Sequence, residues 1–160
     1  MPKFEDLTDK WDRRFLDLAA HVARWSRDPS TRVGAVIARP DHRIVSLGFN
    51  GFARGIEDRE ERYANRELKY KLVVHAEMNA IHFAKQDLTG CHLFTWPLPP
   101  CSRCAASIIQ VGITRVIALP LMESLRERWA EDNEIAEMMF REAEVMLDLY
   151  PLKESAEGTD

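Results

Sequence analysis

The chain has 160 residues and a net charge of −4; 46% of its residues are hydrophobic and 30% charged, the balance of one soluble globular domain. The acidic balance argues against a broad nucleic-acid surface, which needs a basic face, and no apolar run reaches the ~18 residues of a membrane helix. The charged start, Met1-Pro2-Lys3-Phe4-Glu5-Asp6, lacks the apolar segment of a secretion leader, and three cysteines cannot build a disulfide framework, so a reducing cytoplasm is the expected compartment.

In chain order, Trp11, Phe15, Leu18, Ala19, Val22 and Trp25 recur at helical spacing. They predict a helix over 7–26, capped by Thr8 or Asp9, with both tryptophans as core anchors. Pro29 ends it, because a proline biases the preceding residue away from helix. Residues 33–38 and 43–50 read as two strands of a hairpin whose turn holds a solvated His42. A charged connection follows through Lys69 and Tyr70, with weak helical or strand character; such loops are usually functional or mobile. Residues 74–85 predict a helix, with His82 on its packing side, and 91–96 a strand. Then come a helix over 101–111 ended by Gly112, a strand over 114–120, and a long helix over 123–143. That helix carries Met138, Met139 and Phe140 as core or subunit contacts. A strand over 145–150 closes the series. The order implies one mixed sheet of about five strands with helices on both faces, a three-layer α/β/α fold. Residues 1–153 are expected to form one domain, and 154–160 a polar, disordered tail.

Two stretches carry chemistry. One is Val73-Val74-His75-Ala76-Glu77-Met78-Asn79-Ala80-Ile81, the other Pro99-Pro100-Cys101-Ser102-Arg103-Cys104-Ala105. Together they offer one imidazole, two thiols one helical turn apart, and one carboxylate. A catalytic Zn²⁺ takes three N or S ligands and keeps a fourth position for water; His75, Cys101 and Cys104 suit those three. Both segments start helices, where the positive end of the helix dipole favours thiolates. Glu77, two residues past His75, projects at a different angle and can face the water as the proton carrier. His-x-Glu followed by Pro-Cys-x-x-Cys is the pattern of zinc nucleobase deaminases. Each half alone has plainer readings: chance in the first case, a redox pair or half a structural zinc site in the second.

These residues resemble the cytidine deaminase superfamily, and within it the deoxycytidylate deaminases. The resemblance is carried by the two motifs, by Ser26-Arg27-Asp28-Pro29-Ser30-Thr31-Arg32-Val33-Gly34-Ala35, Gly48-Phe49-Asn50-Gly51 and Lys69-Tyr70, and by Ile108-Ile109-Gln110-Val111-Gly112-Ile113. It implies one catalytic Zn²⁺ per subunit on His75, Cys101 and Cys104, with Glu77 as the catalytic proton carrier in hydrolytic conversion of dCMP to dUMP and ammonia. It further implies that Asn50 contacts the sugar and the Ala76 backbone holds the pyrimidine edge. Arg54, Lys69, Tyr70 and Arg103 are the remaining substrate-contact candidates, the basic ones because a cation suits a phosphate. A small-molecule nucleotide is the expected partner and a homo-oligomer the expected assembly. The chain departs from the family where it has Ala53 and Ile56, positions often Pro and Cys in a segment tied to effector binding and, in some members, a second zinc. It also has Glu144 where a glycine is expected. Deamination of a free base, nucleoside or tRNA base, and a non-catalytic zinc module using Cys91 or His92, are the competing readings.

Overall fold

The computed structural model describes residues 9–151; the Thr8 cap and the 154–160 tail lie outside them. Helix α1 (Lys10–Ala23) is capped by Asp9, whose carboxylate accepts from Trp11 N at 2.7 Å. Its buried stripe, Phe15, Leu16, Ala19 and Val22, follows the helical period. The helix ends three residues early, and the chain turns through Trp25 N to Val22 O and Ser26 N to Ala23 O. Trp25 therefore leaves the helical phase: it is 51% exposed and stands edge-on to Phe49, not in the core as expected. Trp11 keeps its phase, packs partly buried against the core, and stacks on His42 at 4.3 Å. His42 is exposed, as expected, but not merely solvated.

Strands β1 (Gly34–Ala38) and β2 (Ile44–Phe49) form the antiparallel hairpin. The charged connection is more ordered than its sequence suggests. It holds β3 (Gly51–Phe52), α2 (Glu60–Ala64), α3 (Arg66–Leu72) and β4 (Val73–Val74). Two helices of this length, built from charged residues, leave no apolar periodicity to detect. Helix α4 (Ala76–Ala84), strand β5 (His92–Trp96), helix α5 (Ser102–Gln110), strand β6 (Arg115–Ala118), helix α6 (Arg126–Glu142, entered by a 3₁₀ turn) and strand β7 (Met146–Leu149) complete the order.

The main sheet runs β2-β1-β5-β6-β7, with β1 antiparallel to both neighbours and β5, β6 and β7 parallel. Alternation along each central strand sorts side chains to two cores. Val36, Ala38, Phe94 and Ile117 meet α1, while Ala35, Ile37, Leu93 and Val116 pack with residues of α4, α5 and α6. Each fully buried aliphatic or aromatic side chain contributes roughly 1.5–3 kcal/mol. The three-layer fold with a mixed five-stranded sheet is thus as the sequence implied. On α6, Phe140 is buried and Met139 packs against the core, whereas Met138 is 39% exposed. His82 is exposed on the outer side of α4, not packed. Among the described residues no helix is long and apolar enough to cross a membrane.

Helices α5 and α6 end alike. After α5, Ile113 N bonds Ile108 O and Gly112 N bonds Ile109 O, with Gly112 at φ 83°. After α6, Val145 N bonds Phe140 O and Glu144 N bonds Arg141 O, with Glu144 at φ 57°. Both are Schellman caps, which favour glycine at the left-handed position. Glu144 is exposed, and among the described residues its side chain forms no hydrogen bond or ion pair that offsets the strain. Glu144→Gly should raise the unfolding free energy by about 0.5–1 kcal/mol, the relief exceeding glycine's unfolded-state entropy; a loss of stability in urea titration would contradict this.

Candidate zinc centre

The site lies where β2 and β5 end and β1 begins. Helix α4 reaches it because its first turn presses on β2. A Cβ on Gly48 would stand 2.3 Å from Ala76 O and 2.4 Å from Ala80 N, so only glycine allows this approach. Asn79 Nδ2 donates to Phe49 O at 2.8 Å, and the short ladder Gly51↔Val74, Phe52↔Val73 delivers His75 to the start of α4. On the other side, Thr95 Oγ1 donates to Leu98 O at 2.9 Å and holds the turn that leads from β5 to Cys101.

His75 and Cys101 are the N-cap residues of α4 and α5, and neither uses its side chain to cap. His75 Nδ1 instead lies 3.5 Å from Cys101 Sγ and 3.3 Å from Cys104 Sγ. Zinc bonds of ~2.3 Å to sulfur and ~2.05 Å to nitrogen at a tetrahedral angle imply an N···S separation of about 3.6 Å. Both N···S separations therefore suit one tetrahedral Zn²⁺, and the three donors, all within 4.8 Å of one another, are the His/Cys/Asp/Glu group so clustered among the described residues. They also share protons: the hydrogen bond with Cys101 holds the His75 imidazole above its ordinary value, and the bond from Cys104 drives Cys101 toward thiolate. A divalent cation takes the place of protons shared in this way. Cys104 is buried and His75 exposed, so the site opens to the surface on the imidazole side.

Glu77 is 4% exposed, with Oε2 3.8 Å from Cys104 Sγ. Burial pushes its carboxyl up to about 6, close to the range in which a group both takes and gives a proton at neutral pH. Cys91, the thiol offered by the zinc-module reading, is fully buried in the hydrophobic core, and His92, the next residue, opens β5. Neither joins the trio.

The other sequence candidates are dispersed. Asn50 is buried; its Oδ1 accepts from Val33 N at 2.8 Å and its Nδ2 donates to Thr31 O at 2.8 Å and Asp28 Oδ2 at 3.4 Å. Lys69 Nζ meets Asp28 Oδ2 at 2.7 Å and Ser30 Oγ at 2.9 Å. Tyr70 is exposed, with its hydroxyl accepting from Arg66 Nε and its ring edge-on to Trp129. Arg54 is exposed over the Phe83 ring, and Arg103 is exposed on the first turn of α5. Ala76 is fully buried against β2.

Two acids that organise the surroundings of the site escaped the sequence reading of single residues. Asp132 of α6 accepts from Ser102 N and Ser102 Oγ at the start of α5; it sits mid-helix in a charged run and carries no local signal. Asp28 is the hub of the loop before β1. It accepts from Ser30 N, Ser30 Oγ, Thr31 N, Lys69 Nζ and Asn50 Nδ2. The Asp-Pro-Ser-Thr order, an Asx-type turn, was its available signal.

A mixed α/β sandwich that ends two helices at one His-Cys-Cys set, with a buried carboxylate beside it, defines a hydrolytic zinc enzyme. The sequence profile of the cytidine and deoxycytidylate deaminase zinc-binding region matches residues 9–119, and the chain belongs to that family. It is 44% identical over 146 residues to an uncharacterized deaminase in the luxG 3′ region of Aliivibrio fischeri, covering 91% of this chain and 97% of the relative. It is 34% identical over 152 residues to the deoxycytidylate deaminase of Mus musculus, covering 91% and 83%. The crystal structure of the dCMP deaminase of cyanophage S-TIM5 in complex with dCMP and dUMP superposes over 86% of this chain and 94% of its own, with a TM-score of 0.66 at 21% identity. That last likeness is one of fold.

Burial alone would raise the Asp28 carboxyl, but the Lys69 ammonium and the Ser30 and Thr31 N–H groups outweigh it and hold it below the ordinary value. A carboxyl lowered on folding stabilises the native state above its unfolded value of ~3.9 and loses that contribution as pH falls through the folded value. Asp28→Asn should therefore cost about 3 kcal/mol at neutral pH, leaving Lys69 without its anion. The gap between variant and wild type should shrink as pH falls below about 4 and through the lowered folded value in urea titrations. A gap independent of pH would contradict the assignment.

Proposed function

We propose that the protein removes the exocyclic amine of a cytosine nucleotide by hydrolysis, with dCMP as substrate and dUMP and ammonia as products. The observation that carries the chemistry is the convergence of His75 Nδ1, Cys101 Sγ and Cys104 Sγ within ligand distance of one ion, next to buried Glu77. The substrate class is supported by the mouse deoxycytidylate deaminase, similar over nine-tenths of this chain.

His75, Cys101 and Cys104 would hold the Zn²⁺, which when bound would supply Lewis-acid polarisation that lowers the pKa of water toward ~7. Glu77 takes the proton of the attacking water and delivers it to ring N3 as oxygen adds to C4. It then moves the proton of the new C4 hydroxyl to the amine nitrogen, the C4–N bond breaks as C4=O forms, and ammonia departs. A carboxyl raised to about 6 by burial suits both transfers. The backbone of Ala76, in the first turn of α4, is the proposed partner of the pyrimidine edge. Asn50 Oδ1 keeps a second lone pair for a sugar hydroxyl. The ammonium of Lys69 is engaged by Asp28, so Arg54 and Arg103, which form no ion pair among the described residues, are the better phosphate partners. Tyr70 is proposed to bound the substrate side where α3 leads to His75.

Glu77→Ala should keep bound zinc while turnover falls by about 100-fold or more. Ammonia release should be well above that from deoxycytidine, cytosine, guanine or a tRNA hairpin when dCMP is supplied. Efficient release from an unphosphorylated base or nucleoside would keep the zinc chemistry and overturn the substrate. Retained turnover in the Glu77 variant would overturn the proton carrier.

Exposed Ile135 and Met138 on α6 support a homo-oligomer, and the three free cysteines suit a reducing cytoplasm. Light scattering should return a multiple of the chain mass of 18.5 kDa; the monomer mass would remove that part of the proposal.

A further inference from the structure

We propose that Asp132 is a positioning residue of the zinc centre: from α6, it gives the first turn of α5 an acceptor where Cys101 gives none, and so holds both sulfurs in register with His75. The inference rests on the zinc reading of the site.

A helix begins with unpaired N–H groups that a Ser, Thr, Asp or Asn at the N-cap normally satisfies. Cys101 occupies that position in extended geometry, φ −71° and ψ 169°, and makes no side-chain cap bond. Its sulfur faces His75 Nδ1 instead. One of the unpaired N–H groups, that of Ser102, finds its acceptor 30 residues away: Asp132 Oδ2 takes Ser102 N at 2.9 Å, and Oδ1 takes Ser102 Oγ at 2.5 Å. Both oxygens of one carboxylate thus grip the first residue of α5.

That turn is the one that carries the ligands. Cys101 precedes Ser102 directly, and Cys104 follows two residues later, with Ala105 N bonded to Cys101 O at 2.8 Å. Fraying of the first turn would displace both sulfurs together. Docking of α6 itself has a separate source, since Ala105, Ile108 and Ile109 of α5 share one apolar cluster with Ala136, Met139 and Phe140 of α6. The Asp132 carboxylate is therefore not needed to bring the helices together, and its contribution falls on the α5 terminus. Groups that orient metal ligands from behind typically govern metal affinity by 10–100-fold.

The test is zinc affinity of the full chain by competition with a chromophoric chelator, together with the visible spectrum of the Co²⁺-substituted protein. Asp132→Ala should weaken zinc binding by about 10–100-fold and shift the Co²⁺ bands. Asp132→Asn, which keeps the shape and one acceptor oxygen without the charge, should restore part of the affinity. Ser102→Ala, which loses one of the two bonds, should weaken binding by several-fold and serves if Asp132→Ala does not fold. Met139→Ala, matched for lost stability, should leave both readouts as in the wild type. Unchanged affinity and spectrum in Asp132→Ala, or equal weakening in Met139→Ala, would overturn the inference. Zinc bound equally well by wild type and Cys104→Ala would instead overturn the ligand set on which it stands.

Discussion

The structure depends on bringing two helix N-termini to the same end of one sheet with their N-cap side chains turned toward each other. His75 and Cys101 occupy positions where a side chain would ordinarily satisfy its own helix. Turning them inward leaves backbone groups to be satisfied from elsewhere, and much of the surrounding sequence does that. Asp132 serves α5, Asn79 ties α4 to the end of β2, and Gly48 lets the two backbones meet at a distance no side chain would permit. The same geometry creates the chemistry. The positive helix ends favour thiolate at the sulfurs, and the first turn of α4 places Glu77 in a dry position, where its carboxyl rises into the working range.

Two polar clusters hold the sheet from opposite ends. At the site end, Asp28 gathers the loop before β1, the Asn50 amide and the Lys69 ammonium into one buried knot, and Ser26 Oγ adds Asn50 O at 2.8 Å. At the far end, Arg115 on β6 grips Asp12 of α1 with two bonds of 2.9 and 2.6 Å and Asp148 of β7 with a third, and the Tyr150 hydroxyl donates to Asp12. Such buried ionic groups are strongly destabilising to break, though an apolar replacement can be as stable. Here they join α1 to strands far apart in sequence, so their contribution falls on the relative placement of layers. Lys69 illustrates the division of labour: a cation read as a phosphate contact serves instead as the counter-ion of Asp28.

The central strands were legible because burial on two faces leaves apolar runs such as Val36-Ile37-Ala38 and Val116-Ile117-Ala118, bounded by turn residues. Helix α5 was legible from its spacing and from Gly112, whose left-handed conformation is what its position implies. The α2–α3 segment was not, because its helices are five and seven residues long and mostly charged, and tertiary contacts stabilise them. Trp25 misled for a related reason: its spacing fits a helix that ends before it, and aromatic content alone does not state where a helix stops. Glu144 shows the reverse, a residue in a conformation its chemistry disfavours, held there by the cap it completes.

By itself, the sequence determined the layer order and singled out the three candidate metal donors and the carboxylate proposed as proton carrier. Each of these follows from local pattern: alternation, helical period, and the spacing of His-x-Glu and Cys-x-x-Cys. Only the tertiary structure decided that the donors stand at ligand distance, that Glu77 is dry, that Lys69 belongs to Asp28, and that Asp132 caps the cysteine helix. The reason is physical. A spacing sets which residues share a turn, whereas burial, charge pairing and capping across elements depend on partners tens of residues away, which no local pattern contains.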